Sequence, residues 1–317
     1  MTNSTVSLDD KYSIESGRIF VTGVQALARI PMVQRQRDVL EGLNTAGFIS
    51  GYRGSPVGGF DQQLWRAKKF LEQNHIRFQP GLNEDLAASA IWGSQQTNLH
   101  EGGKYDGVFA IWYGKGPGVD RCGDVFKHGN MSGPAKHGGV LLIAGDDHAA
   151  KSSTVPHQSE YAFMDASIPV LNPAGLQDIV DYGILGFAMS RFSGCWVAFK
   201  TTAENMDSSA SIDVSPDRVK ISLPEFDMPE GGLSIRWPDD WIEQEHRLHQ
   251  YKLNAVRAFA RQNKIDKTII DSHTPKLGVV TTGKSYLDVR QALEDLGINE
   301  AKADKIGLRL YLSLIHI

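Results

Sequence analysis

The sequence predicts an α/β protein: a doubly wound parallel sheet, then a linker, then the start of a second α/β unit. Three observations indicate this fold. Segments with strand and helix patterns alternate from about residue 25 to residue 205. The run at residues 139–144, GVLLIA, is apolar throughout, as expected for a strand buried on both faces. Polar or glycine-rich segments follow several predicted strands, where α/β sheets bind their ligands.

Composition narrows the function classes. The chain has 317 residues, of which 41% are hydrophobic and 22% charged, as in ordinary globular proteins. Its net charge of -4 gives no electrostatic reason to expect nucleic acid. Two distant cysteines, Cys122 and Cys195, exclude a disulfide framework, a zinc finger or a complete iron–sulfur cluster within this chain. With no membrane-length apolar run and no signal-peptide pattern at the start, we expect a cytoplasmic protein with no membrane partner.

The first predicted elements lead into the sheet. Residues 1–24 are a polar lead-in with one strand at 18–22. An amphipathic helix follows at 25–46, with Pro31 in its first turns or interrupting it, and a short buried strand follows at 47–51. Strand, glycine-rich turn and helix then make the first unit of a parallel sheet.

The remaining elements repeat that unit. A glycine-rich turn occupies 52–59 and a helix 60–74. Further strands are predicted at 78–79, 106–113, 139–144, 168–171 and 195–200, the last closing the sheet, with helices at 83–97, from about 119, and at 174–190. Because the carboxyl ends of parallel strands share one edge, we expect the polar loops at 52–59, 114–124 and 145–160 to collect there. Residues 25–205 therefore form one predicted domain.

The later part of the chain changes character. Residues 206–274 are predicted to comprise a linker and a helix: a proline-rich linker or extended excursion at 206–240, then a charged helix at 241–264. Residues 275–311 begin a second α/β unit, with strands at 276–282 and 306–310 and a helix at 285–296. Since one strand–helix–strand piece cannot bury a core, we expect this second domain to be truncated. Glu243, His246 and His249 have metal-like spacing, but on a charged helix we interpret them as a solvated face and assign no metal.

One motif is a decoy. Gly278 to Ser285, GVVTTGKS, matches the phosphate-binding loop pattern letter for letter. Its four internal residues are β-branched strand formers, whereas a phosphate cradle needs a loop there. We therefore predict that the strand runs through Thr281 and that nucleotide hydrolysis is not the function.

The helix that begins near residue 84 carries the most informative carboxylate. Asn83 is suited to cap this helix, and Glu84 and Asp85 then fall in its first turn. Carboxylates there stabilise helices by about 0.3–1 kcal/mol, so dipole compensation is one interpretation. The other is a carboxylate held against a cofactor ring, because the small residues that follow, Ala87, Ala88 and Ala90, leave room beside it. The helix pattern leaves both open.

Histidines also lie near the predicted edge. His128, His148 and His157 fall in or beside polar clusters that we predict to be loops, including residues 127–130 and 146–148. Loop histidines are more often solvated than catalytic. There is no Gly-x-Ser-x-Gly elbow and no Cys–His pairing at an informative spacing, so hydrolase chemistry is not indicated.

Together these motifs resemble a known family. The matching segments are Gly51-Tyr52-Arg53-Gly54-Ser55-Pro56, Asn83-Glu84, Lys127-His128, and Asp146-Asp147-His148 with Ser152-Ser153. They are similar to the pyrimidine-binding domain of the thiamine-diphosphate-dependent 2-oxoacid:ferredoxin oxidoreductases, above all the long fused indolepyruvate ferredoxin oxidoreductases. The resemblance covers about residues 15–311, and residues 276–310 resemble the start of that family's transketolase-C-like domain.

The resemblance implies roles for individual residues. Glu84 corresponds to the glutamate that bonds the aminopyrimidine ring of the cofactor, which is general acid–base chemistry. Gly51, Tyr52, Gly54 and Ser55 correspond to the loop that binds the cofactor, and Ser55 also reaches the 2-oxoacid carboxylate.

Further substrate contacts are implied for Lys127, His128 and Asp147. Arg53 replaces the proline that relatives commonly have, and Ser55 replaces their threonine. Arg53 either pairs with a carboxylate in a bidentate manner or faces solvent.

The resemblance also implies a reaction. An aryl 2-oxoacid such as indolepyruvate and coenzyme A give an aryl-acetyl-CoA, carbon dioxide and reduced ferredoxin. The Mg²⁺ and diphosphate domain and the iron–sulfur cluster region fall beyond residue 317, so we expect an inactive N-terminal fragment of a homodimeric enzyme. Residues 312–317 depart from the family pattern and are predicted to be a non-native tail. The alternatives are a non-oxidative thiamine-dependent decarboxylase and a non-catalytic α/β binding module.

Overall fold

A computed structural model describes residues 6–150, 152 and 155–316. Its strands are β1 (Arg18–Thr22), β2 (Ala46–Gly51), β3 (Ile76–Phe78), β4 (Val108–Lys115), β5 (Val140–Asp146), β6 (Val170–Leu171), β7 (Val197–Thr202), β8 (Ser209–Asp213), β9 (Lys267–Ile270), β10 (Leu277–Thr282), β11 (Leu308–Ser313) and β12 (Ile315–His316). Its α-helices are α1 (Asp10–Ser13), α2 (Gly23–Leu40), α3 (Phe60–Arg66), α4 (Lys68–Gln73), α5 (Glu84–Ser94), α6 (Gly116–Arg121), α7 (Gly123–Ser132), α8 (Glu160–Asp165), α9 (Leu176–Ser193), α10 (Ala203–Met206), α11 (Trp241–Arg247), α12 (Leu253–Gln262), α13 (Ser285–Asp295) and α14 (Glu300–Ile306). No helix among these residues has the length and apolar character that a bilayer span requires.

The central sheet confirms the predicted doubly wound α/β fold. Within the described residues it has seven strands in the order β12-β6-β7-β5-β4-β2-β3, all parallel except β12. Chain order reverses at β2, because β3 lies on one side of it and β4 on the other. Such a reversal opens a crevice at the carboxyl ends of the strands. The registers Gly51↔Tyr113 and Lys115↔Gly145 bring those ends together at one edge.

Helices cover both faces of this sheet, so the central strands are buried on both sides. On β4, Ile111 and Tyr113 belong to the core beneath α2 and α9, while Ala110 and Trp112 belong to the core beneath α5 and α7. Every residue of β5 is buried, as its apolar sequence predicts. With both faces covered, the carboxyl edge is where a sheet of this kind binds its ligands.

Two segments have local structure that the sequence analysis does not specify correctly or in full. Residues 127–130 were expected in a loop but lie within α7, because Phe126 and Asn130, one helical turn apart, are both buried. The Asn130 amide donates to the carbonyls of Ala166 and Ser167, a cross-chain partnership that local sequence does not reveal. The predicted linker also contains β8, which pairs antiparallel with β1 through Ile19↔Ile212.

The second unit is a three-stranded sheet in the order β10-β11-β9 within the described residues. Strand β10 runs through Thr282 and pairs in parallel with β11, which confirms the expectation that the phosphate-loop match is a strand. Strand β9 and helix α14 were not predicted. Together they add Ile270 and Ala303 to a small core with Leu308 and Leu310.

The last described residues join the larger sheet. Strand β12 pairs antiparallel with β6, so β7 lies inside the sheet and does not close it. Leu312 and Leu314 are buried, at 4% and 1% exposure. Whether residues 312–317 are native sequence stays a prediction, and residue 317 lies outside the described part.

A buried lysine links the linker helix to the larger domain and predicts a pH effect. Lys252 is 1% exposed and donates to the carbonyls of Asn130 and Met131, at the last turn of α7. Burial lowers the pKa of Lys252 to about 8. Because the unfolded chain then binds more protons than the folded chain above that pH, the destabilising effect of the buried Lys252 ammonium should disappear progressively between about pH 8 and pH 10.

We expect the difference in free energy of unfolding between the natural chain and a Lys252→Met variant to move in favour of the natural chain by up to about 3 kcal/mol over that range. Urea unfolding of both proteins measures it, and ionisations common to both cancel. A difference that is flat with pH would show that the ammonium group is not destabilised by burial.

Candidate active site at the carboxyl edge of the sheet

Glu84 is placed at this edge by the segment between β3 and α5. The Gly81 amide donates to the Gly51 carbonyl at 2.9 Å, which ties the segment to the end of β2. The Asn83 side chain then accepts from the Leu86 amide at 2.9 Å, so Asn83 caps α5 as predicted. Glu84 is therefore the first residue of α5 and lies beside the loop that follows β2.

The main chain of Glu84 is bound to the sheet. The Trp112 indole donates to the Glu84 carbonyl at 3.1 Å, which connects the start of α5 to β4. Ala87 and Ala88 are fully buried against the strands, so their small size brings the helix close to the sheet. Ala90, by contrast, is exposed.

The Glu84 side chain lies against α6 and is 16% exposed. A Cβ atom built on Gly118 would be 2.6 Å from Glu84 Cγ and 2.9 Å from Oε1, so the missing side chain at Gly118 makes the space for the carboxylate. Arg121 Nη1 is 3.9 Å from Glu84 Oε2, while Arg121 Nε donates to Asp85 at 3.0 Å. The shorter of the two Arg121 contacts is thus with Asp85. The Glu84 carboxylate has only the longer contact with Arg121, so it can still accept a hydrogen bond from a ligand.

Three exposed apolar side chains belong to the segment of Glu84 or to the loop bonded to it. Leu82 and Leu86 are 86% and 52% exposed, and Tyr52 is 43% exposed, all within a few residues of Glu84 or of the loop joined to it. Exposed groups of this size beside a carboxylate are typical of a surface that is covered when a ligand or partner binds. The neighbouring thiol of Cys122 is buried, and burial raises its pKa, as does Asp85 to a smaller degree, so it is not a nucleophile here.

The glycine-rich turn lies over the ends of β4 and β5, as its sequence predicts. At Gly51 a Cβ would be 2.2 Å from the Tyr113 carbonyl oxygen, so only glycine fits. At Gly54 it would be 2.7 Å from Lys115 Cβ, and at Gly145 it would be 2.9 Å from Pro56 Cδ. These close approaches place the 51–55 segment, including Ser55, on the same edge as Glu84.

Lys115 lies at this edge, as expected for the 114–124 loop, but its sequence context gave it no role in the site. Its ammonium lies 2.6 Å from Ser152 Oγ and 3.6 Å from Asp147 Oδ2. Asp147 is 5% exposed and also accepts from the Ser152 amide and hydroxyl, both at 3.0 Å. Asp147 thus reaches the edge as predicted, while Ser153 lies outside the described residues.

His157 joins the third loop to α6. Its Nε2 is hydrogen-bonded to Asp120 at 2.8 Å, and its Nδ1 lies 3.6 Å from Asp146 Oδ1. Its ring packs so closely on Gly116 that a Cβ there would be 2.2 Å from ring carbon Cγ. Asp146 is 1% exposed and lies 3.5 Å from the Lys200 ammonium. The 145–160 loop is therefore held to the start of α6, as expected from the strand order.

Three other predicted residues have contacts elsewhere or face solvent. The Lys127 ammonium is 2.6 Å from Asp165, near the end of α8. His128 stacks on Trp92, two turns along α5 from Glu84, with ring centroids 6.2 Å apart. His148 is exposed. Substrate binding by Lys127 and His128 stays a prediction, and the structure does not bring them to the groups around Glu84.

At this edge the carboxylate of Glu84 is mostly buried. The cations Lys115 and Arg121 are each already paired with an aspartate. Glu84 is suited to accept a hydrogen bond from a ring nitrogen or to exchange a proton with it. Among the described residues, no group of three or more His, Cys, Asp and Glu side chains is arranged to hold a metal ion. The chemistry that these residues support is proton handling and anion binding.

Comparisons with known proteins agree with this picture. Residues 267–313 match the family model of the indolepyruvate oxidoreductase domain. The indolepyruvate oxidoreductase subunit IorA of Pyrococcus abyssi is 25% identical over 304 residues, covering 92% of this chain and 41% of the relative. The same subunit from Pyrococcus horikoshii is also 25% identical, over 298 residues, with 92% and 41% coverage. The chain thus spans about two fifths of the length of the curated relatives that it matches.

A solved structure supports the fold. The 2-oxoglutarate:ferredoxin oxidoreductase from Magnetococcus marinus, solved with 2-oxoglutarate, coenzyme A and succinyl-CoA bound, has a TM-score of 0.65 and 15% identity, covering 94% of this chain and 54% of that one. In sequence and in fold the chain resembles the 2-oxoacid:ferredoxin oxidoreductases, and in particular the indolepyruvate oxidoreductases.

Proposed function

We propose that this chain contributes the aminopyrimidine-binding side of a thiamine-diphosphate site in an oxidoreductase that decarboxylates aryl 2-oxoacids. The observation that carries the proposal is the seating of Glu84. The carboxylate stands at the start of α5, against the bare backbone of Gly118, beside the Gly51–Ser55 loop. A carboxylate held in this manner is suited to bond a ring nitrogen.

The residues present fit the pyrimidine side of that cofactor. Thiamine diphosphate, when bound, supplies a carbon nucleophile toward the keto group of 2-oxoacids. Glu84 would bond the pyrimidine ring nitrogen, and Gly118 leaves the space that a side chain would fill. Tyr52, Leu82 and Leu86 are exposed now and would exclude water once the ring lies against them. Protein groups for the diphosphate and Mg²⁺ are not assigned to this chain.

The names of the relatives support the finer parts of the proposal. Curated relatives are indolepyruvate oxidoreductase subunits, which favours an aryl 2-oxoacid as substrate. The structural neighbour was solved with coenzyme A bound, which favours coenzyme A as acceptor of the acyl group. The proposed reaction breaks the bond between the carboxyl and keto carbons, releases carbon dioxide and forms a thioester. The electron pair that remains passes to ferredoxin through iron–sulfur clusters, in a homodimeric cytoplasmic enzyme.

Turnover by the full product of the gene tests this proposal. Viologen reduction is followed with indolepyruvate, phenylpyruvate or 2-oxoglutarate, in the presence of thiamine diphosphate, Mg²⁺ and coenzyme A, and with each component omitted in turn. We expect reduction that needs the cofactor and coenzyme A and is fastest with an aryl substrate. Carbon dioxide release without viologen reduction would indicate the non-oxidative decarboxylase, and no cofactor-dependent reaction would leave a binding module.

A further inference from the structure

A buried carboxylate holds an exposed guanidinium in the glycine-rich turn. Arg53 Nε lies 3.2 Å from Asp61 Oδ2. The Arg53 side chain is 69% exposed, whereas that of Asp61 is 4% exposed. The bridge joins the second residue of the turn to the first turn of α3, so it closes the loop at 52–59. The Arg53 side chain is therefore exposed to solvent but restrained by Asp61.

Because Asp61 is buried and Arg53 is exposed, Asp61 depends on this bridge more than Arg53 does. An uncompensated buried charge is costly, and among the described residues Arg53 is the cation within ion-pair distance of Asp61. The start of α3 offers some further stabilisation through the helix dipole. The second oxygen, Oδ1, is buried and has no hydrogen bond within the described residues. Asp61 thus depends on Arg53, and that dependence restrains where the guanidinium points.

A second buried polar group lies at the same place. The Tyr113 hydroxyl is buried and, among the described residues, has no hydrogen-bond partner. Burial raises the pKa of Tyr113; the nearby Asp61 charge raises it further, while the Arg53 charge opposes this. Tyr113 packs edge-on against Phe60, the residue before Asp61. The charges of Asp61 and Arg53 therefore act on Tyr113 without a hydrogen bond to its hydroxyl among the described residues.

The guanidinium has an unused edge. Asp61 engages Nε, and Nη1 and Nη2 have no hydrogen-bond partner within the part of the chain that the structure describes. Paired guanidinium N–H groups match the two oxygens of a carboxylate. The cation beside it, Lys115, already contacts Asp147 and Ser152, so it is less available to an incoming anion. Arg53 is thus a cation of this edge with guanidinium N–H groups open to an anion.

We propose that Asp61 is a positioning residue that presents Arg53 to the carboxylate of the 2-oxoacid substrate. This inference rests on the proposed function, because it assigns a ligand to the same edge. The backbone bond between Gly81 and Gly51 keeps the turn next to the segment that carries Glu84. Substrate carboxylate and cofactor ring are then bound by two neighbouring segments, one through Arg53 and one through Glu84.

The inference predicts where a kinetic defect falls. A carboxylate is present in the bound substrate before it leaves as carbon dioxide, so losing its receptor weakens substrate binding more than the chemical step. We expect Arg53→Ala to raise the KM for the 2-oxoacid about 10–100-fold, the size of a lost hydrogen-bonded ion pair. Asp61→Asn should raise it about 10-fold, and kcat should change by no more than about 3-fold in either variant.

A double-mutant cycle tests whether Asp61 acts through Arg53. Steady-state kinetics are measured on the full product of the gene for Arg53→Ala, Asp61→Asn and the double variant. If Asp61 works only by holding Arg53, the double variant should have the KM of Arg53→Ala alone. Glu72→Gln is the matched control, since it removes an acidic partner from an exposed pair on the next helix. Its KM should equal that of the natural protein.

Guanidinium rescue adds a readout that a merely structural role would not move. Added guanidinium ion should restore a low KM to Arg53→Ala when Asp61 is present and should fail in the double variant. Arg53→Lys keeps the charge at an exposed position but loses the planar fork, so it should fold and still show a raised KM. It keeps the test decisive if Asp61→Asn does not fold.

Three outcomes would overturn the inference: an unchanged substrate KM in Arg53→Ala, additive effects in the double variant, or a defect confined to the apparent affinity for thiamine diphosphate or coenzyme A. Failure of the proposed function is distinguishable. If the natural protein has no thiamine-dependent turnover, the function itself is wrong. If the natural protein turns over and its turnover depends on Glu84, but Arg53→Ala leaves the substrate KM unchanged, only the role proposed for Asp61 and Arg53 is wrong.

Discussion

Replacing Glu84 by glutamine should lower the kcat of the full gene product by about 10²–10⁴-fold, the usual contribution of a positioned acid–base group. Glutamine keeps the size of the side chain, but its amide cannot exchange a proton with a ring nitrogen. The cap at Asn83 and the indole contact to the Glu84 carbonyl do not involve the carboxylate, so the fold should persist. Turnover with a saturating 2-oxoacid, together with a thermal unfolding curve, measures both parts.

Asp85→Asn is the matched control for that experiment. It removes the same charge from the same helical turn, one residue later, where the carboxylate bonds Arg121 at 3.0 Å. We expect turnover within a few-fold of the natural protein and a loss of stability typical of an exposed ion pair, about 0–1 kcal/mol. Equal turnover in Glu84→Gln and the natural protein would return Glu84 to simple stabilisation of the helix end.

Replacing Gly118 by alanine should lower kcat by displacing the Glu84 carboxylate. The Cβ of alanine would be 2.6 Å from Glu84 Cγ, closer than side-chain atoms approach, so the carboxylate must move away from its present place. Because a misplacement of about 1 Å can cost about 10²-fold in rate, we expect Gly118→Ala to lose a similar factor in kcat. The contact is with a flexible side chain, so stability should change by less than about 1.5 kcal/mol.

Gly123→Ala is the control for the added methyl group. Gly123 begins α7, close in sequence to Gly118, and a Cβ there meets no atom within 4 Å. Its turnover should match the natural protein, and its stability should be equal or slightly higher, since alanine favours helix. A Gly118→Ala variant with normal kcat would show that the space beside Glu84 is not needed.

Much of the fold follows from sequence because its signals are local. The apolar run of β5, the aromatic and β-branched run of β4 and the Asn83 cap each depend on neighbouring residues, and the structure has all three. The alternation of strand and helix then fixes which loops share an edge. That is why the sequence predicts that Glu84 and the Gly51–Ser55 turn share one edge of the sheet.

The site partners that sequence missed are long-range. Lys115 contacts Asp147 and Ser152, which are more than thirty residues away in sequence. In sequence Asp61 is an ordinary acidic residue in the first turn of a helix, and only its burial in the structure shows that it depends on Arg53. Lys127 and His128 were expected at the edge because a polar cluster suggests a loop. The buried Phe126 and Asn130 continue the helix through them, so they lie along α7. Short-range patterns do not carry such information.

Exchange of the C2 proton of thiamine diphosphate gives the sharpest test of the role assigned to Glu84, because it needs neither substrate nor electron acceptor. The exchange rate with deuterium is measured by quenched-flow NMR on the full product of the gene, natural and Glu84→Gln. We expect the natural protein to accelerate exchange by orders of magnitude over free cofactor and the variant to approach the free rate. Equal acceleration by both proteins, with cofactor bound, would show that Glu84 does not act on the pyrimidine ring.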